Sequence, residues 1–130
     1  MPRGRVHDPL GVAVETEEVL RRLAIRDDAF IQSALACAEG GPAARPLDAK
    51  TAALTRIASL VALEASSPSY LWAVGSAHDA GATDAEIVAC LVAVMPAVGV
   101  PRVVSAAPKL ALALGYDVGA ALEAVDPTLG

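Results

Sequence analysis

From Ile87 to Val100 no charged residue interrupts the chain, and the helical repeat is apolar on every face. Gly81 stops the preceding helix, and Thr83 with Glu86 forms a capping box that opens this one. A helix apolar all round is either central to a core or spans a membrane. Fourteen residues reach only about 21 Å, and Pro96 interrupts them, so a bilayer span is excluded. The pattern predicts a buried core helix over about 84–98.

The remaining pattern is also helical. Thr16 is placed to cap a first helix, with Glu17 and Glu18 set against its dipole. Val19, Leu20, Leu23 and Ile25 form its apolar side, and Arg21, Arg22 and Arg26 its wet one. Asp27 or Asp28 starts a second helix, in which Phe30, Ile31, Ala34, Leu35 and Ala38 keep helical spacing. Gly40-Gly-Pro42 ends it, and an ordinary connection runs to Pro46. Asp48 caps a third helix to about Ala65, with a stripe of Leu54, Ile57, Leu60, Val61 and Leu63. Thr51, Thr55 and Ser59 lie at i, i+4 on another face.

Ser66-Ser-Pro-Ser69 breaks the third helix. Pro68 suits the first position of a fourth, with Ser67 as its cap. The core helix follows, and then Pro101 opens a last one through Val103, Val104, Leu110 and Leu112. Pro108 is expected to bend it and Gly115 to end it, with a further turn or two over Val118 to Val125. No stretch alternates as a strand would. The expectation is an all-α bundle of about six helices: a flexible arm over residues 1–15, then a single domain over 16–130.

Composition sharpens this picture. Aromatics are only 3% while 55% of residues are hydrophobic, so Ala, Val and Leu must fill the core, and small side chains let helices approach closely. A net charge of −5 and a pI near 4.8 argue against nucleic acid or an anionic membrane as partner. Between Arg56 and Arg102 there is no Lys or Arg, so part of that region is expected to meet another subunit. Gly11-Val-Ala-Val14 is too short for the apolar segment of a signal peptide, which points to the cytoplasm. Cys37 and Cys90 have no C-x-x-C or metal spacing and read as reduced, buried small hydrophobes. Neither a metal nor a cofactor is expected.

Leu47-Asp-Ala-Lys-Thr51, then Ala77-x-x-x-Gly81-Ala-Thr-x-x-Glu-Ile87, then Gly99-x-Pro101 form an ordered set of signals. It resembles the carboxymuconolactone decarboxylase and AhpD-like alkylhydroperoxidase superfamily, most clearly over Leu47 to Gly115. The resemblance implies an all-α domain assembling as trimers or hexamers. The chemistry departs from that pattern. The two cysteines and the histidine of the peroxidase branch fall on Ser67, Tyr70 and Ala73, and the glutamate of the preceding helix on Ala53. The histidine and aromatic residue of the decarboxylase branch fall on Ala93 and Ala97.

Three functions therefore stand open. The first is a non-redox small-molecule enzyme or binding protein with a pocket at the start of the fourth helix. There Ser66, Ser67, Ser69 and Tyr70 gather hydroxyls, and the helix amides favour an organic acid. In this reading Ser67 and Tyr70 bind the ligand, and Glu64, which closes the apolar run Leu60 to Leu63, or Tyr70 moves protons in lactone or acid chemistry. Against this, Glu64 is equally explained as a solvated helix end, Ser67 as a cap, His78 as a helix-end residue favoured by the dipole, and Trp72 as packing. The second is a catalytically inactive structural or interaction module. The third is a thiol peroxidase, for which Cys37 and Cys90 lack a local activating base.

Overall fold

The computed structural model describes residues 12–38 and 47–116, and every regular element among them is an α-helix. In chain order these are α1 (Val12–Ala24), α2 (Asp28–Ala38), α3 (Ala49–Ala62), α4 (Ser67–Asp79), α5 (Asp84–Val98) and α6 (Val100–Leu114). They fall into two compact units that divide between Pro46 and Leu47, with α1 and α2 in the first and α3 to α6 in the second. None of the described helices is long and apolar enough to cross a membrane.

In the first unit α1 begins four residues earlier than Thr16, so 12–15 belong to a helix rather than to an arm, and Thr16 is not its cap. Val12-Ala-Val contains no helix breaker, and the glycine that could stop it, Gly11, precedes it. Glu18 salt-bridges Arg21 at 2.6 Å and Arg22 at 2.8 Å, one turn on. Those two guanidiniums hold its carboxyl down at about 2. Asp27 caps α2 by accepting the Phe30 amide at 3.1 Å. The turns expected over 118–125 lie outside the described residues.

The second unit is a four-helix arrangement in which α3 packs beside α4 and α5, and α6 beside the same two helices. Its core is Ala53, Ile57 and Val61 of α3, Tyr70, Ala73, Val74 and Ala77 of α4, Ile87 and Leu91 of α5, and Val103, Ala106 and Leu110 of α6. Each set repeats at three or four residues, as one face of a helix must. α3 starts where Asp48 accepts the Thr51 amide at 3.2 Å. The expected capping box opens α5: Thr83 accepts the Glu86 amide at 3.1 Å and Glu86 accepts the Thr83 amide at 2.9 Å. The same Glu86 carboxylate takes Lys50 of α3 at 3.0 Å, so one side chain caps α5 and ties it to its neighbour.

α5 spans the residues expected of the apolar helix, but its own chain covers only one side of it. Ile87 and Leu91 are buried, with Cys90, Val94, Met95 and Val98 partly so, while Val88, Val92, Ala93 and Ala97 are exposed. Hydropathy specifies that a face is to be covered, not by which chain.

Candidate functional site

The turn from α3 into α4 carries the residues singled out above, and its backbone explains their placement. Ala65 N–H bonds the Leu60 carbonyl at 3.0 Å and Glu64 N–H bonds the Val61 carbonyl at 3.2 Å. This paired closure puts the intervening residue in the left-handed region, and that residue is Glu64, at φ 54°. Its side chain is exposed, with Arg102 Nε 3.9 Å away. The apolar surroundings that would make Glu64 a proton carrier are therefore not found. It is a solvated helix end.

α4 begins one residue earlier than expected. Ser66, not Ser67, is the cap, and its hydroxyl makes no capping bond. Pro68 has no N–H, and the Ser69 amide bonds the Ser66 carbonyl at 3.1 Å, so the helix start offers an anion at most the Ser66 and Ser67 amides. Ser67, in the first position of the helix, is half-buried and lies one turn from Tyr70. Positive charge comes instead from α6: Lys109 donates to the Ala65 carbonyl at 2.9 Å, through one of its three ammonium donors.

Tyr70 is fully buried, and its hydroxyl has no hydrogen-bond partner among the described residues. Burial pushes the phenol up from its ordinary value, so it is a neutral donor. A buried donor without an acceptor costs about 1–3 kcal/mol, and buried tyrosine hydroxyls normally find a partner. Since Glu64 is exposed and Tyr70 unpartnered, the structure does not bring these two into a proton-transfer pair.

A second polar cluster gathers around the Gly81 turn. His78 Nε2 lies 2.7 Å from Asp84 Oδ1, and the Tyr116 hydroxyl donates to Asp84 Oδ2 at 3.0 Å. These bonds lower the Asp84 carboxyl, His78 most of all, and raise the Tyr116 phenol. His78 and Asp84 flank the Gly81 turn, six residues apart, a spacing short enough to have suggested the pair. Tyr116 is 32 residues from its partner, and nothing local announces it.

Cys90 is a free, half-buried thiol whose Sγ contacts the Leu54 carbonyl at 3.6 Å and the Glu86 carbonyl at 3.5 Å. Burial and the nearby Glu86 raise it, which keeps it protonated and a poor nucleophile. Cys37 belongs to α2 in the other unit, and its side chain lies outside the described residues. Among the described residues no three His, Cys, Asp or Glu side chains are grouped to hold a metal ion. Comparison of the chain with protein-family models, with curated proteins and with solved structures finds no match in any of the three.

Proposed function

We propose that this is a carboxymuconolactone decarboxylase-like, non-redox protein of the cytoplasm that binds a small organic acid at the start of α4 and works as a homo-oligomer of three or six chains. The observation that carries the reading is the Tyr70 hydroxyl, a buried donor with no acceptor among the described residues. A ligand carboxylate or enolate supplies that acceptor, and Lys109 brings positive charge to the adjoining turn. Ser67 adds a hydroxyl one helical turn away. If the ligand is turned over, lactone or acid chemistry fits a neutral phenol that can lend and recover a proton, and the exposed Glu64 takes no part in it. The raised Cys90 thiol weighs against the thiol peroxidase alternative.

Thermal-shift titration with small mono- and dicarboxylic acids tests this, comparing wild type with Tyr70→Phe. The free variant is expected to be as stable as wild type or about 1 kcal/mol more so, because an unpaired hydroxyl is removed. Its affinity for the acid, read from the titration, is expected to fall at least tenfold. Equal response to the acid in wild type, Tyr70→Phe and Glu64→Gln would move the site elsewhere.

A second reading, a catalytically inactive interaction module, is favoured by the exposed apolar rows of α5 and α6, among them Val92, Val104 and Leu112. A protein that responds to no acid yet self-associates would select it.

A further inference from the structure

The side chains left uncovered on α5 and α6 border one seam. On α5, Glu86 reaches Lys50 and Cys90 reaches Leu54, so that flank faces α3. Val88 and Val92 lie on the opposite flank. On α6, Lys109 reaches Ala65 and Arg102 approaches Glu64, so that flank faces the α3–α4 turn. Val100, Val104 and Pro108, at four-residue intervals, lie on the other, with Leu112 continuing the row. The Asp84–Tyr116 bond then fixes how the two rows meet, since it joins the start of α5 to the region just past the end of α6. Val88 is one turn in from Asp84, and Leu112 one turn in from Tyr116.

The seam is uncovered and uncharged along its length. Val88 is 42% exposed, Val92 66%, Val100 56%, Val104 64% and Leu112 69%. Ala85, Ala89, Pro96 and Pro108 are exposed beside them, and none of these nine carries a charge. The five large side chains alone present on the order of 500 Å², already at the upper end of apolar patches on monomers. With the prolines and alanines the seam approaches the roughly 800 Å² that each partner gives to a standard interface. Its polar rim is the His78–Asp84–Tyr116 cluster at one end.

We propose that a second copy of this chain covers the α5–α6 seam, seated across a two-fold axis so that the same rows meet. The inference rests on the homo-oligomeric reading above in its six-chain form, since a ring of three has no two-fold axis between copies, and names the face. Charge permits a second copy as the occupant. The chain carries a net −5, so two copies repel over most of their surface, but a neutral face set against itself brings no like charges together.

Light scattering of the full chain at micromolar concentration tests this. Wild type is expected at a multiple of the chain mass, and Val92→Glu at half that mass or less, with helical circular dichroism unchanged because Val92 is not part of the core. Thr55→Glu, on the exposed side of α3, is expected to keep the wild-type mass. Should Val92→Glu unfold, Leu112→Glu reads the same face. Wild-type mass in both folded glutamate variants would overturn the seam while leaving the oligomer standing. A wild type that runs as one chain would overturn both.

Discussion

Two residues other than glycine occupy the left-handed region among the described positions, Arg26 at φ 56° and Glu64 at φ 54°. Both sit where a helix closes with the same paired bonds that Gly81 and Gly115 serve at the ends of α4 and α6. A side chain there costs about 1 kcal/mol or more relative to glycine. Glu64 recovers little of it, since the pair with Arg102 is long and both side chains are about half exposed or more. Glu64→Gly is therefore expected to raise stability by about 1 kcal/mol, a few degrees in Tm, measurable by calorimetry. A lowered Tm would mean that the carboxylate makes a contact beyond Arg102. The same left-handed turn carries Glu64 out to solvent, which is why an apolar run before it gives no apolar surroundings.

Between elements, few polar contacts hold the four-helix unit, so each is consequential. Glu86 joins α5 to α3, Lys109 joins α6 to the α3–α4 turn, and Asp84 joins α4, α5 and Tyr116 beyond the end of α6. By contrast, Thr55 and Ser59 turn their hydroxyls onto carbonyls of their own helix, at 2.8 and 2.9 Å, and link nothing. Asp84 has a folded-state pKa below its unfolded value of about 3.9. Its stabilisation is thus present above that unfolded value and is lost as pH falls through the lower folded one. Asp84→Asn is expected to unfold at lower denaturant than wild type at pH 7, with the gap closing as pH falls below the ordinary carboxylate range. A gap that persists undiminished in acid would show that the carboxylate's charge is not the source. The cluster also fixes the register of α5 against the end of α6, so the variant reports on that docking.

For the whole molecule, the apolar seam predicts a stability that depends on concentration. Association that favours the folded chain adds to its apparent stability as protein concentration rises. Tm is expected to climb over a hundredfold increase in wild-type concentration and to stay flat in Val92→Glu; parallel behaviour of the two would remove the coupling. The helices themselves were legible in the sequence because their signals are local. The Thr83–Glu86 box, Asp48, and the glycines at 81, 99 and 115 act within four residues, and core positions such as Ile57, Ile87 and Leu110 follow a 3.6-residue repeat. Less of the candidate site could be read. Ser66 rather than Ser67 caps α4, because Pro68 fits the second helical position as well as the first. The burial of Tyr70 with an idle hydroxyl, the reach of Lys109 to Ala65 and of Tyr116 to Asp84 depend on groups 32 or more residues apart or on the packing of four helices, which no local pattern encodes. The run from Ile87 to Val98 established that α5 is apolar on every side; only the packed structure decided that Ile87 and Leu91 face the chain's own core while Val88 and Val92 face outward, because burial depends on which neighbours a helix meets and hydropathy does not name them.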